Sequence, residues 1–167
     1  MTIKTTITIY TDGSCNNHTK GPGGWAFYSK LPNNKEFCRF GMIPKPTTNN
    51  VAELAGVLMA MKVLGPSGKR LNIISDSRYV VDGMNKWCDG WAEKDFEGIK
   101  NNELWKQMKH LKDMYRPTIQ WVRGHIGVHG NEKADKWCGL AAKNMLNHMV
   151  TENMNFRSLH WGNVITW

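Results

Sequence analysis

The sequence predicts a mixed α/β fold in which one sheet is covered by helices. Up to about residue 42, short alternating segments are separated by turn residues, a pattern typical of an antiparallel meander. Later segments carry apolar residues at helical spacing, and short apolar runs at 71–75 and 118–123 lie between them. The resulting order is βββαβααβα, which favours a layered sheet-and-helix domain.

The first three strands are predicted over residues 7–11, 25–29 and 36–42. Asp12-Gly13-Ser14 is a turn sequence, so we expect the first strand to end there. Gly21-Pro22-Gly23-Gly24 forms the next turn, and residues 32–34 form a hairpin loop. These strands together predict a three-stranded antiparallel meander.

The remaining elements follow residue 43. Residues 44–50 form a polar loop with several candidate helix N-caps. The predicted helices cover 51–64, a segment from about Ser77 through Met84, 104–115, and a segment from about Asn131 to Met145. The apolar run 71–75 is read as a buried strand, and 118–123 as the fifth strand. Residues 124–130 hold three glycines and two histidines and are expected to form a flexible loop.

Length and composition restrict the classes of protein to which this chain can belong. Its 167 residues fit one domain, and 41% hydrophobic residues are enough for a core, which excludes intrinsic disorder. The longest apolar stretch, 51–64, is too short to span a bilayer, and no signal peptide is apparent. The four cysteines lack a C-x-x-C spacing, so a reduced, cytoplasmic setting is expected.

The chain is basic. Lysine and arginine number 22 against 14 aspartate and glutamate, a formal net charge of +8. Such a charge suits a polyanionic partner, because phosphate contacts release condensed counterions. A basic protein kept soluble by its charge is the competing interpretation, so charge alone does not assign a function.

Two aspartates lie at predicted strand ends. Asp12 ends the first strand and Asp76 directly follows the strand at 71–75. A strand end holds a carboxylate rigidly at the edge of the core. Each residue also has a local explanation, because Asp12-Gly13 is a common turn pair and Asp76 could cap the following helix.

Two further acids lie in predicted helices. Glu53 is the only charge in the segment 51–61, so its carboxylate needs a cation or hydrogen bonds to stay ionised. Glu53 and Asp135 are each expected in the first turn of their helix, so the helix dipole offers another explanation for both. If all four carboxylates converge, they repel one another, and two Mg²⁺ ions would relieve that repulsion and provide the means of phosphodiester hydrolysis.

Six segments in order resemble type 1 ribonuclease H, of the free-standing bacterial or phage kind. They are Thr11-Asp12-Gly13-Ser14-Cys15, Gly21-Pro22-Gly23-Gly24, Thr47-Thr48-Asn49-Asn50-Val51-Ala52-Glu53-Leu54, Ser75-Asp76-Ser77-Arg78-Tyr79-Val80, Trp121-Val122-Arg123-Gly124-His125 and Asn131-Glu132-Lys133-Ala134-Asp135. The match runs from about residue 7 to residue 144. Any one of these segments is a weak signal, but six in order are a specific one.

The resemblance implies a ribonuclease H-like fold with a five-stranded mixed sheet in the order 3-2-1-4-5, flanked by helices. It implies that Asp12, Glu53, Asp76 and Asp135 bind two Mg²⁺ ions, for which Mn²⁺ could substitute. These ions would drive hydrolysis of the RNA strand of an RNA:DNA hybrid, leaving 5′-phosphate and 3′-hydroxyl ends. His125 matches a histidine that assists proton transfer or product release. A cytoplasmic monomer with no membrane contact is expected.

Substrate-binding residues also carry over from the resemblance. Thr48, Asn49 and Asn50 match a loop that contacts the hybrid in its minor groove, where 2′-hydroxyl groups are displayed. The other residues implied in binding are Gly13, Ser14 and Cys15 beside the RNA backbone, Arg78 near a base or sugar, and Trp87 and Trp91 on the DNA side. For the two tryptophans, packing in the core is a strong alternative.

Some features depart from the family pattern. Arg78 stands where glutamine is common, and the segment 90–99 carries three acids against one lysine, where a basic protrusion is common. Lys106 and Lys109 could form a substitute phosphate track or a solvated helix face. Residues 1–145 are expected to form the catalytic domain. Residues 146–167 are expected to form a C-terminal extension that packs on this domain or contacts a replication protein.

Three functions remain open on the sequence. The first is a Mg²⁺-dependent endoribonuclease acting on hybrids, and the second is a module that binds hybrids without cutting them. Because all four carboxylate positions are filled, the first is favoured over the second. The third, a related nuclease acting on DNA alone, is disfavoured by the segments Thr48-Asn49-Asn50 and Arg123-Gly124-His125.

Overall fold

The computed structural model describes residues 4–31 and 34–143, together with the backbone of residues 156–158. Three predicted features therefore lie wholly or partly outside the described residues. They are the hairpin loop at 32–33, the end of the last helix near Met145, and the C-terminal extension apart from 156–158.

The described part of the chain contains six strands and five α-helices. The strands are β1 (Thr6–Cys15), β2 (Gly23–Lys30), β3 (Glu36–Ile43), β4 (Arg70–Ser75), β5 (Thr118–Trp121) and β6 (Phe156–Ser158). The helices are α1 (Asn49–Leu64), α2 (Arg78–Asp82), α3 (Cys88–Glu93), α4 (Asn102–Tyr115) and α5 (His129–Ala142). A 3-10 turn (Gly65–Ser67) follows α1, and a π-helical segment (Gly83–Trp87) joins α2 to α3.

The described strands form one sheet in the order β5-β4-β1-β2-β3-β6. β1, β2 and β3 pair antiparallel, whereas β4 is parallel to β1 and β5 is parallel to β4. The predicted mixed sheet in the order 3-2-1-4-5 is therefore confirmed. The structure adds β6, which pairs parallel with β3 over 156–158. Three residues are too few to carry a periodic pattern, so the sequence did not predict this strand.

Helices cover both faces of the sheet, and the alternation along β2 shows the two layers. Trp25 and Phe27 face the larger core, which α1 and α4 complete. Ala26 and Tyr28 face the smaller core, formed with β3 and α5. Because successive side chains of a strand point to opposite faces, a strand that is buried on both sides lacks a polar face.

Helix α1 begins at a side-chain cap and is then buried on all sides. Thr48 Oγ1 accepts a hydrogen bond from the backbone N–H of Val51, which satisfies one free amide of the first turn. All residues from Ala52 to Met61 are buried, including Glu53. A helix that is apolar all round belongs in a core rather than at a surface. No helix in the described ranges is long and apolar enough to cross a membrane.

Several predicted boundaries were wrong. β1 does not end at Asp12 but continues to Cys15, because it remains paired with β2 as far as Gly23. β5 ends at Trp121, two residues earlier than expected. α5 begins at His129 rather than near Asn131, so His129 and Gly130 are helical and not part of a loop.

The second helical region is also longer than predicted. α2, the π-helical segment and α3 follow one another without a break from Arg78 to Glu93. The extra residue in the π turn lies where Gly83 packs against Trp105, and a Cβ atom at position 83 would overlap the indole ring. Close packing on α4 thus accompanies this irregular turn, and apolar periodicity alone does not reveal it.

Candidate active site

Asp12 and Asp76 lie side by side because of how far β1 and β4 extend. β1 pairs with β4 up to Thr11 and Ser75, and β4 ends there while β1 continues along β2. Asp76 is therefore the first residue after β4, and it lies beside Asp12, the first residue of β1 that no longer pairs with β4. The predicted placement of Asp76 directly after its strand is correct, whereas Asp12 lies inside β1 rather than at its end.

Glu53 reaches these aspartates from α1, which lies very close to β1. A Cβ atom at Gly13 would overlap the backbone of Ala52 and Glu53, so only glycine allows this contact. Glu53 is the fifth residue of α1, and the first turn of this helix contains no acidic residue. The helix dipole therefore does not account for Glu53, whose buried carboxylate faces Asp12 and Asp76.

Asp135 completes the group from the opposite face of the sheet. It lies in the second turn of α5, because that helix starts at His129, and the expectation of a first-turn position was wrong. α5 packs closely on β2, since a Cβ atom at Gly24 would overlap the carbonyl oxygen of Cys138. About half of the Asp135 side chain is exposed, so this carboxylate lies at the open side of the group.

The four carboxylates form two overlapping sets of candidate metal ligands. One ligand atom each from Asp12, Glu53 and Asp76 lie within 4.8 Å of one another. One ligand atom each from Asp12, Asp135 and Cys138 also lie within 4.8 Å of one another. Among the described residues, Asp12 is the carboxylate that belongs to both sets, so it could contact two cations. The term carboxylate cluster is used below for Asp12, Glu53, Asp76 and Asp135.

Burial and mutual repulsion disfavour the charged forms of Asp12, Glu53 and Asp76. Burial, and then the charge of Asp76, raise the pKa of Asp12 from 3.8 to about 8. Burial and the charges of Asp12 and Asp76 raise the pKa of Glu53 well above its usual value. Burial also raises the pKa of Asp76, while nearby His125 opposes that rise. The group is therefore costly to ionise without additional positive charge.

The donor set fits a hard divalent cation. Glu53 Oε2 is buried and has no hydrogen-bond partner among the described residues, which is costly for a carboxylate oxygen. Oxygen atoms of carboxylates are the ligands that Mg²⁺ and Mn²⁺ prefer. The cluster could therefore hold such ions, with Asp12 shared between two positions.

His125 lies beside the cluster on an exposed loop. Its Nδ1 atom is 4.0 Å from Asp135 Oδ2. The backbone of His125 is left-handed, with φ of 57°, and Gly127 is left-handed as well, so this turn directs the ring toward α5. Gly124, the residue before His125, is also constrained, because a Cβ atom there would lie 2.6 Å from Asp76 Oδ2. The structure thus places His125 next to the carboxylates, as predicted.

The predicted binding loop lines a groove at the start of α1. Thr48, Asn49 and Asn50 belong to the wall of this groove, whose volume is about 650 Å³. Asn17 holds the loop in place, since its Oδ1 accepts a hydrogen bond of 2.9 Å from the Asn49 N–H. Two basic side chains, Lys20 and Lys100, also line the groove, and neither was predicted as a binding residue.

The short segment after Asp12 links this groove to the cluster. Gly13 is buried under α1, while Ser14 and Cys15 are partly exposed. The thiol of Cys15 donates to the carbonyl oxygen of Thr47 over 3.6 Å, which joins β1 to the start of α1. An extended ligand that contacts these residues can reach both the groove and the carboxylate cluster.

Other predicted binding residues have mixed environments. Trp87 is exposed, with 44% of its surface accessible, and suits a surface contact. Trp91 is partly buried and packs edge-on against Trp105 of α4. Lys106 is close to Asp95 and Glu103, and Lys109 is paired with Asp89 and Asp113. These pairs partly neutralise the proposed lysine track, so a solvated, ion-paired helix face describes it better.

Two residues near the cluster were not predicted. Asn131 is buried on α5, and a hydrogen bond from its side chain lowers the pKa of Asp76. Cys138 is fully buried one turn after Asp135, and its thiol donates to the Asp135 carbonyl oxygen. The i, i+3 and i, i+4 spacing from Asp135 could have pointed to both, since such residues share one helix face.

A mixed sheet with helices on both faces and a carboxylate cluster beside α1 and α5 defines an α/β protein with a candidate cation-binding site. The sequence model of the RNase H family matches residues 4–143. The chain belongs to the RNase H family, so the resemblance of its six segments is confirmed.

Relatives and solved structures agree with this assignment. Ribonuclease H of Hyphomonas neptunium is 42% identical over 149 residues, covering 86% of this chain and 94% of that protein. Ribonuclease H of Rhizobium johnstonii is 37% identical, covering 83% and 91%. LC9-RNase H1, a type 1 RNase H with the type 2 active-site motif, is 28% identical with a TM-score of 0.71, covering 86% and 75%. A foamy viral protease-reverse transcriptase in complex with RNA/DNA hybrid shares the fold, with a TM-score of 0.72 at 19% identity, covering 84% and 20%.

Proposed function

We propose that this protein is an endoribonuclease that hydrolyses the RNA strand of RNA:DNA hybrids, using two Mg²⁺ ions bound by the carboxylate cluster. Membership of the RNase H family supports the reaction and its substrate. The observation that carries the mechanism is the position of Asp12, which is shared by two sets of candidate ligands within 4.8 Å. We propose that Asp12 contacts both ions.

The residues of the cluster have distinct tasks in this proposal. Glu53 and Asp76 would hold one ion together with Asp12, and Asp135 would hold the second with Asp12 from the more exposed side, next to the thiol of Cys138. When bound there, Mg²⁺ supplies the positive charge that activates a water molecule and stabilises the leaving 3′-oxygen. The products then carry 5′-phosphate and 3′-hydroxyl ends. The rigid contact of α1 with β1 at Gly13 fixes the ligand atoms in advance.

His125 is placed to handle a proton at the exposed side of the cluster. Its ring lies 4.0 Å from Asp135 and is mostly accessible to solvent. An exposed imidazole on a turn can take up a proton from solvent and pass it to a departing oxygen. We therefore assign proton transfer near Asp135 to His125, and its loop position suits repeated turnover.

The groove at the start of α1 is proposed to hold a nucleic-acid backbone. Lys20 and Lys100 bring positive charge to it, and Thr48, Asn49 and Asn50 bring small polar side chains. Such groups suit phosphate oxygens and the 2′-hydroxyl groups of a hybrid minor groove. The groove and the cluster are joined through Gly13, Ser14 and Cys15, so one duplex can contact both.

A substrate panel tests this function. The protein is incubated with a labelled RNA:DNA hybrid, double-stranded RNA, double-stranded DNA and single strands, in Mg²⁺ and in EDTA. Cleavage of RNA in the hybrid alone, lost in EDTA, is expected. Binding to the hybrid without cleavage in Mg²⁺ or Mn²⁺ would instead identify a binding module. Cleavage of DNA would identify a different nuclease.

A further inference from the structure

We propose that Arg78 and Trp121 form a phosphate-binding pair beside the carboxylate cluster, in which Arg78 contacts a phosphate of the RNA strand and Trp121 positions it. This inference rests on the proposed function and deepens it, because it names a substrate contact particular to this chain. The resemblance places Arg78 near a base or sugar of the substrate, whereas its contacts in this chain favour a phosphate.

The guanidinium of Arg78 lies over an exposed indole ring. Its guanidinium carbon lies 3.7 Å from the centroid of the Trp121 ring. Stacking on tryptophan is the most favourable arrangement of this kind, and it limits the motion of a long side chain. Because a stacked guanidinium keeps its N–H donors in its own plane, they remain available for a bidentate contact with phosphate.

Trp121 is itself attached to the strand that leads into the cluster. The indole Nε1–H donates a hydrogen bond of 3.0 Å to the backbone carbonyl oxygen of Asp76. Trp121 is also paired with Ser75 at the end of β5. One side chain thus contacts the backbone of a candidate metal ligand and the guanidinium of Arg78. Trp121 therefore fixes the position of the Arg78 guanidinium relative to Asp76.

The positive charge of Arg78 is not neutralised by a carboxylate among the described residues. Across the described residues, Arg78 forms no ion pair with a carboxylate, whereas Lys106, Lys109 and Lys112 each lie within 4.0 Å of one or more. A polyanionic substrate that approaches the negatively charged cluster needs a nearby cation that is still free to bind it. Arg78 meets this need as an exposed residue at the start of α2, two residues after Asp76.

Steady-state kinetics of hybrid cleavage over a range of salt concentrations test the pair. Arg78→Gln removes the charge, Arg78→Lys keeps the charge without the planar fork, and Trp121→Phe keeps a ring but removes the N–H donor. Arg70→Gln is the matched control, because Arg70 is an exposed arginine at the start of β4, the end of that strand opposite to Asp76. Circular dichroism verifies that each variant is folded.

We expect Arg78→Gln to raise KM about tenfold with kcat within twofold of the parent. It should also reduce the slope of log(kcat/KM) against log[salt] by about one, the loss of a single phosphate contact. Arg78→Lys should have the same salt slope as the parent, but its KM should lie between the values for the parent and for Arg78→Gln. Trp121→Phe should lower kcat several-fold with the slope retained, because the tether to Asp76 is lost.

Two results would overturn the pair. If Arg78→Gln has the same KM and salt slope as Arg70→Gln, Arg78 does not contact a phosphate. If Trp121→Phe leaves kcat unchanged, Trp121 has no positioning role. Failure of the parent protein to cleave hybrids at all would contradict the proposed function instead, so the two failures are distinguishable.

Discussion

Asp12 and Glu53 hold carboxylate oxygens within 4.8 Å of each other, although one lies on β1 and the other on α1. Gly13 makes this approach possible, and its N–H donates a hydrogen bond of 2.8 Å to Asp12 Oδ1. A close contact between a strand and a helix therefore brings two acids together in a buried place. The resulting repulsion makes the stability of the protein depend on pH and on bound cations.

In EDTA, thermal stability should fall as the pH rises from 5 to 9. The pKa of Asp12 is raised from 3.8 to about 8 in the folded state, so the folded protein binds more protons than the unfolded chain in this interval. Stability therefore decreases with pH above about 4 and levels off above about 8. We expect a fall of at least about 5 °C in Tm, measured by calorimetry.

The control for this experiment is Asp12→Asn, which removes one titrating group and its repulsion. Its Tm should depend less steeply on pH and exceed that of the parent at pH 9 in EDTA. Equal slopes for the two proteins would show that Asp12 is already ionised in the folded state near neutral pH.

Mg²⁺ should raise the Tm of the parent protein. A ligand that binds only the folded state stabilises it by mass action, and at one hundred times Kd the gain is about 2.7 kcal/mol. The gain should increase with pH, since binding requires ionised carboxylates. Titration of Mg²⁺ in a thermal scan measures both effects. A Tm that is unchanged up to high millimolar Mg²⁺ would argue against a clustered cation site.

Gly124→Ala should lower kcat without unfolding the protein. The added Cβ atom would lie 2.6 Å from Asp76 Oδ2, so the carboxylate must move away from the cluster. Displacement of a metal ligand by a few tenths of an ångström weakens catalysis strongly. Turnover of the hybrid at saturating substrate measures the effect.

Gly139→Ala serves as the comparison for Gly124→Ala. Gly139 lies in α5, and a Cβ atom there meets nothing within 4 Å. The substitution should stabilise the helix by about 0.5–1 kcal/mol and leave turnover unchanged. Equal turnover of the two variants would show that Asp76 tolerates the methyl group at position 124.

The sequence predicted much of the fold and the identity of the acids. Alternation and turn residues located β1, β2 and β3, and the apolar run before Asp76 located β4. The lone charge of Glu53 in an apolar helix indicated a buried carboxylate, which the structure has. These signals are local, because each depends on neighbouring residues along the chain.

Features that depend on contacts between distant segments were not predictable. β1 continues to Cys15 because β2 pairs with it there, which outweighs the local turn preference of Asp12-Gly13. The ion pair of Lys109 with Asp89 joins α4 to α3, and the stack of Arg78 on Trp121 joins α2 to β5. Side-chain positions of this kind follow from tertiary packing rather than from spacing.

The most direct measurement compares Asp12→Asn with Asp113→Asn in cleavage and in binding of the same labelled hybrid. Both substitutions remove one negative charge, but Asp113 is an exposed residue of α4 paired with Lys109. We expect Asp12→Asn to lose cleavage in Mg²⁺ by at least about a thousandfold while it still binds the hybrid and remains folded. Asp113→Asn should cleave like the parent. Retained turnover in Asp12→Asn would contradict a catalytic centre built around Asp12.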